Sequence, residues 1–462
     1  MNVFLILAAS KTRRYKDTAD DRALYRKYYC TERSRIMKKK VRILSVLLAL
    51  TLVLGLAACN GDQSTPSPGP PANGNGAAEA PTGDGQPPAQ AEILQRVVSV
   101  FNTLDNDYFI AWDNGARQAA AALGLEYEAI TTEGDGTREL QGIESAIAAG
   151  VRMFAVVPIG MQSVPMITQL ASEHDAFMSI TWDIPEWFTP MDAGDGFTVY
   201  LAPDMEMMMY SISTALFEYL GGSGTVVHVT GLPGTTGDIM QTRGVDRAAA
   251  NFPDITLVGR LPGNYNRVDS QRVMENLLIA YPEFDAVIGN NDATAIGIIA
   301  AIEAAGRPMV PVIGMDGAKE ALLLIEEGVM WGTASAFPEW QGGYAVVRAY
   351  DAAHGFEPLP TERMMNTGSL LVTQENVAAV MQAMYGTDTL PFDWTLMSRV
   401  RNPDAWDPQN LVSPIDVTQM WDEATRPSGY ELPQELLDAI AGGELEKVTR
   451  LYADQFRRSI LD

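Results

Sequence analysis

The sequence predicts an α/β protein of two Rossmann-like lobes with parallel sheets, joined by a hinge and followed by a C-terminal extension. Two observations carry that expectation. From about residue 93, short apolar strands alternate with helical stretches, the texture of parallel strands covered on both faces. Near Val199-Tyr200-Leu201-Ala202-Pro203 the alternation pauses and then restarts, so two similar α/β units follow one another.

The N-terminus reads as an address. Lys38, Lys39, Lys40 and Arg42 precede an apolar run over 43–54, which ends in Leu56-Ala57-Ala58-Cys59. That is the order of a secretory signal. A cysteine after Leu-Ala-Ala also resembles the lipobox of bacterial lipoproteins, in which it receives the lipid and becomes the new N-terminus. The expected partition is a mis-chosen upstream leader over 1–36, a lipoprotein signal peptide over 37–58 and a Pro/Gly-rich tether over 59–92. Too few apolar residues occur in the tether to fold it. Extended, it would reach on the order of 100 Å at ~3.3 Å per residue. The body would then stand at the extracellular face of the cell membrane or in the periplasm, lipidated at Cys59.

Residues 1–58 hold 13 of the 33 Lys+Arg and 4 of the 58 Asp+Glu, which leaves 20 basic and 54 acidic residues, a formal charge of −34. Such a surface disfavours nucleic acid and anionic lipid. Beyond Cys59 there is no cysteine for a disulfide, a thiolate metal site or a nucleophile, so core burial must hold the fold. No second apolar run reaches the ~20 residues of a membrane helix.

In chain order, the first unit predicts strands over 97–101, 126–131, 153–157 and 177–181, with helices over 109–123, 138–149 and 163–172. Helix 205–220 opens the second unit, its Met205-to-Met209 run forming a buried face. Strands follow over 224–229, 256–261, 285–289, 310–315 and 332–336, with helices over 241–251, 270–280, 293–304 and 319–326. Helix 339–353, the segment 364–373 and helix 374–384 come next, and a final helix over 445–458. The expected lobes are 93–202 with 337–363, and 203–336 with 364–385; residues 386–462 form the extension.

In parallel α/β sheets, ligands bind beyond the carboxyl ends of the strands. The groups found there are Asn106, Tyr108 and Phe109, then Trp182 and Asp183. In the second unit they are the 231–237 turn, Tyr265, Asn290-Asn291-Asp292 and Asp316. Rings stack on the C–H faces of a sugar while Asp and Asn bond paired hydroxyls. Each acid or amide alone could instead be a helix N-cap, Asp183 and Asp292 among them. Their repetition in both units favours a ligand site.

Asn102-Thr103-Leu104-Asp105-Asn106-Asp107-Tyr108-Phe109 resembles the opening of type I solute-binding proteins of the ribose/galactose kind. Gly231-Leu232-Pro233-Gly234 with Arg243-Gly244, Ala286-Val287-Ile288-Gly289-Asn290-Asn291-Asp292 and Val312-Ile313-Gly314-Met315-Asp316-Gly317 are similar to further segments of that family. The resemblance runs from about 97 to 373. It implies a type I periplasmic-binding-protein fold with a hinged cleft, delivering a solute to an ABC permease and its ATPase. Carried over residue by residue, it nominates Asn106, Tyr108, Phe109, Asp183, Tyr265, Asn291 and Asp316 as ligand contacts. Four positions depart: Val157 stands for an Asn, Ile184 and Gln241 for Arg, and Ala336 for a Gln. Two cations and two amides are thus replaced, which argues against ribose itself. Trp182, Trp187 and Trp340 could enlarge the stacking surface; core or lid packing is the alternative for the last two.

Other chemistries find little support. The 231–237 turn lacks the Gly-Lys-Ser/Thr ending of a phosphate loop. His174, His228 and His354 are widely spaced, without a zinc motif. The acidic turn 192–195 reads as solvated rather than as a calcium site. No nucleophile elbow is present. The expectation is therefore a non-enzymatic, monomeric, lipid-anchored binding protein without cofactor or metal, closing on a sugar or sugar-like polyol. The alternative is a sensory module presenting ligand to a chemoreceptor or histidine kinase.

Overall fold

The computed structural model describes residues 95–460; the expected leader, signal peptide, Cys59 and tether lie outside them. The first lobe contains β1 (Arg96–Phe101), α1 (Asp107–Leu123), β2 (Glu126–Thr131), α2 (Gly136–Ala148), β3 (Met153–Val156), α3 (Val164–Glu173), β4 (Phe177–Thr181), the short α4 (Pro190–Ala193) and β5 (Phe197–Pro203). The second contains α5 (Met205–Tyr219), β6 (Ser223–Thr230), α6 (Thr236–Ala249), β7 (Asp254–Pro262), α7 (Arg267–Ala280), β8 (Ala286–Gly289), α8 (Asp292–Ala304), β9 (Val312–Asp316), α9 (Lys319–Glu326) and β10 (Gly332–Ser335). The chain then returns through α10 (Pro338–Ala353), which packs on α1, β3 and β4. Next come β11 (Met364–Thr367), β12 (Leu370–Thr373) and α11 (Val377–Tyr385).

With β13 (Val412–Pro414) from the extension, the first sheet has the order β13-β11-β5-β4-β3-β1-β2, and the second β12-β10-β9-β8-β6-β7. Pairing is parallel except for the edge strands β12 on β10 and β13 on β11. Central strands read as near-continuous apolar runs because helices cover both of their faces: β1 from Val97 to Phe101, β3 and β8 throughout are buried. α5 buries Met205, Met208 and Met209, as its sequence predicts.

Three expectations change. Residues 364–367, expected in the second lobe, belong to the first: β11 runs beside β5, with Met364 opposite Tyr200 and Thr367 opposite Pro203. The return crossing therefore falls between β11 and β12. Helix α6 begins at Thr236 and not at 241, because Thr235 caps it and accepts the Asp238 N–H at 3.2 Å. The extension is more regular than its composition predicts, adding α12 (Trp394–Met397), β13 and α13 (Gln434–Ala441) to the expected final helix, α14 (Glu444–Gln455). It docks through buried Trp394 and Trp406. The Arg399 guanidinium stands 4.5 Å over the Trp406 ring and pairs with Glu362 at 2.5 Å. Trp340 is core: fully buried, stacked on Tyr344 at 4.5 Å, its Nε1 donating to Pro408 O at 2.8 Å.

Candidate ligand-binding cleft

The nominated groups stand beyond the carboxyl ends of β1, β4, β6, β7 and β8, and, for Asp316, at the last residue of β9. On the first lobe, Asn106 is the N-cap of α1, its Oδ1 accepting the Tyr108 N–H at 2.8 Å. One residue on, the Asp107 carboxylate comes within 3.7 Å of Arg267 in the second lobe. Tyr108 is buried; its hydroxyl donates to Gln341 Oε1 at 2.7 Å and accepts from Trp182 Nε1. The Trp182 and Tyr108 rings meet edge to face at 5.4 Å. Phe109 instead stacks on Phe101 at 6.0 Å, a core contact.

Asp183 reaches the other lobe. Its Oδ1 accepts the N–H of Thr236, the first residue of α6, at 3.2 Å, and the Thr236 hydroxyl donates to Ile184 O at 3.0 Å. The carboxylate of one lobe thus meets the positive end of a helix in the other. Burial outweighs these bonds and pushes the Asp183 carboxyl up to about 6.

In the second lobe, Tyr265 lies against the 231–237 turn: a Cβ on Gly231 would stand 2.1 Å from its Cζ, so only glycine admits the ring. Its hydroxyl donates to Gln241 Oε1 at 2.7 Å, and Gln241 Nε2 approaches Met315 Sδ at 3.6 Å. Asn291 caps α8 by accepting the Thr294 N–H at 2.9 Å, and its side chain also bonds Asp316. Burial, and then the neighbouring Asp292, holds the Asp316 carboxyl well above the usual carboxylate range. The Tyr265 phenol is pushed up by burial first, then by Asp238, Asp183 and Asp316. Burial and then Asp316 and Glu339 do the same to Tyr108. Acids from opposite lobes therefore act on the same phenols. Backbone strain gathers here as well, with Trp182 (φ 72°), Tyr265 (φ 54°) and Asp316 (φ 139°) outside the usual region for non-glycine residues.

A family model described as a periplasmic binding protein domain matches residues 97–357 of this two-lobed, clefted chain. The chain belongs to the periplasmic binding proteins. This family comprises substrate-binding proteins of transporters rather than enzymes. The chain is 26% identical over 276 residues to the xylitol-binding protein of Mycolicibacterium smegmatis, covering 58% of this chain and 75% of that one. It is 26% identical over 322 residues to the ribose import binding protein of Bacillus subtilis, covering 69% and 94%. Among solved structures, an ABC transporter solute binding protein from Bacillus halodurans with bound myo-inositol superposes with a TM-score of 0.55 at 25% identity, covering 62% of this chain and 96% of that one.

In this periplasmic binding protein Asp292 is occupied structurally. Its Oδ2 accepts the N–H groups of Gly317 and Ala318, both at 2.8 Å, and its Oδ1 the Thr333 hydroxyl at 2.6 Å. It thereby fixes the turn that presents Asp316. Asp292→Ala should leave three buried donors unmatched and lower folding stability by about 2 kcal/mol. The check is a urea midpoint that falls at unchanged slope; an unchanged midpoint would refute the role.

Sequence reasoning missed two residues of this binding protein's cleft. Thr236 was legible through the Thr235/Asp238 capping pair, which moves the helix start upstream. Gln341 carries no local signal, since it lies one turn inside α10; its Nε2 is buried without a partner among the described residues. At the four departures, Val157, Ile184 and Ala336 are buried apolar residues, and Gln241 is bonded to Tyr265.

Proposed function

We propose that this periplasmic binding protein is the lipid-anchored receptor of an ABC importer, tethered through Cys59 outside the cytoplasm and closing on a sugar or sugar-like polyol. The observation that supports it most is the contact of Asp183 in the first lobe with the Thr236 N–H at the start of α6 in the second, at 3.2 Å, which brings the strand-end groups of the two lobes to one cleft. Ligand hydroxyls bonded by Asp183 on one side and by Asn291 and Asp316 on the other stabilise only the shut state. That differential contact is what drives hinge closure. Tyr108, Trp182 and Tyr265 supply rings for C–H faces, with Gln241 orienting Tyr265; Asn106 shapes the rim, and Phe109 backs it from the core. A neutral ligand fits best, because the gathered groups are acids, amides and phenols. The relatives named for xylitol and ribose, and the neighbour holding myo-inositol, support the same class.

The test is a thermal-shift panel of pentoses, hexoses, xylitol and myo-inositol against nucleosides and amino acids. Stabilisation by a sugar or polyol supports the reading; stabilisation by the second group alone overturns it. A pH dependence follows. Free Asp183 titrates near 6, and hydroxyls donating to the ionised form pull that value down on binding. Below pH 6 a proton must leave before the ligand is held, so affinity is flat above about pH 7 and falls with acidity. At pH 5 the Kd should be about tenfold weaker than at pH 7.5, one unit below the free value. Calorimetry at the two pH values checks this, and a flat profile would count against an ionised Asp183 in the complex.

A further inference from the structure

A pair of opposite charges joins the two lobes. Asp107 is the first residue of α1 in the first lobe and Arg267 the first residue of α7 in the second, with Arg267 Nη2 3.7 Å from Asp107 Oδ2. The chain crosses between lobes after β5, β10 and β11. β1 and β7, which lead into the two helices, stand toward the opposite ends of their sheets. A hinge at the crossings therefore parts Asp107 from Arg267 when the lobes open.

Arg267 already has a partner in its own lobe. Its Nη2 donates to Glu320 Oε2 at 2.8 Å and its Nη1 to Glu320 Oε1 at 3.3 Å, and Glu320 lies in the first turn of α9. Both members of that pair belong to the second lobe, so it survives opening. Lys319, the neighbouring cation on α9, stands 4.9 Å over the Tyr385 ring. Asp107 and Glu320 also act on each other. Burial and then Glu320 raise the Asp107 carboxyl above its usual value, while Arg267 acts the other way. On closure Asp107 thus meets a cation that a carboxylate has already neutralised.

We infer that Arg267 and Glu320 are opposed positioning residues for lobe closure: Arg267 draws Asp107 in, Glu320 pushes it back, and their balance keeps the shut state easy to leave. Asp107 meets a formal charge of zero in the wild type, since the pair holds one charge of each sign. Glu320→Gln turns that charge positive and Arg267→Gln turns it negative, so the two substitutions act on closure with opposite signs. No ligand enters this balance, and it stands apart from the sugar reading.

Thr236 supplies the readout. As the first residue of α6 its N–H has no acceptor within the helix, and it donates across the cleft to Asp183 at 3.2 Å. Its hydrogen exchange in the ligand-free protein therefore reports how often the lobes part. At neutral pH and low salt, exchange should be about threefold slower in Glu320→Gln and about threefold faster in Arg267→Gln, the size expected of half-exposed charges. Added salt should shrink both shifts. Combining each substitution with Asp107→Asn should erase its shift, which separates the contact between lobes from any effect on the ends of α7 and α9. Shifts of the same sign in the two variants, shifts that survive Asp107→Asn, or equal exchange in all of these proteins overturn the proposal. Each of those results leaves the sugar reading untouched.

Discussion

Asp183→Ala should abolish most of the stabilisation that a sugar or polyol confers, while the free protein melts close to the wild type. In the free protein this side chain makes one 3.2 Å bond to Thr236 N, and its carboxyl is held near 6 by burial. Removing it sacrifices a cap but also relieves a desolvated acid, so the two effects offset. With ligand bound, the carboxylate would accept hydroxyls in a closed, water-poor site. Hydrogen bonds to a charged group contribute about 1.5–3 kcal/mol each, so losing the pair costs roughly 3 kcal/mol, about 150-fold in Kd. A ligand at 1,000 times its Kd stabilises the wild type by about 4 kcal/mol and the variant by only about 1 kcal/mol. Thermal shift against the panel reads this directly. Equal shifts in wild type and variant would remove Asp183 from the site.

Much of this architecture was legible because parallel strands buried on both faces leave unbroken apolar runs. β1 and β3 are visible in Val97-Val98-Ser99-Val100-Phe101 and Met153-Phe154-Ala155-Val156 without any knowledge of their partners. β13 was not, since three residues on an edge carry too little pattern and its pairing with β11 is set by the fold. The same division runs through the site. Asp183 and Asp316 stand where strand ends aim side chains into a cleft, and that position can be read from the sequence. What each amide does cannot. Asn106 and Asn291 look like ligand groups, and both cap helices; only Asn291 also reaches Asp316. The Trp187–Trp421 contact joins segments far apart in the chain, so it had no local signature.

Gly115→Ala and Gly342→Ala should each lower folding stability by about 3 kcal/mol, against the sign that helix propensity predicts. Both glycines lie inside helices, where alanine is ordinarily favoured by up to ~1 kcal/mol. Here α1 and α10 touch backbone to backbone. A Cβ on Gly115 would stand 1.7 Å from Glu339 O, and one on Gly342 would stand 2.0 Å from Trp112 O. The obstacle is main chain, with no flexible side-chain end to move aside, so the helices must separate. Overpacking of this kind costs about 1–3 kcal/mol or more, and it exceeds the propensity gain. The separation also acts on the cleft. Tyr108 sits on α1 and its hydroxyl donor bond ends on Gln341 of α10, so parting the helices breaks the link that holds the Trp182–Tyr108 wall. Weaker ligand binding should therefore accompany the lost stability, even though neither glycine is among the proposed ligand contacts. Urea midpoints and calorimetry on the two variants decide it: midpoints at or above the wild-type value would show that the helices have room for a side chain.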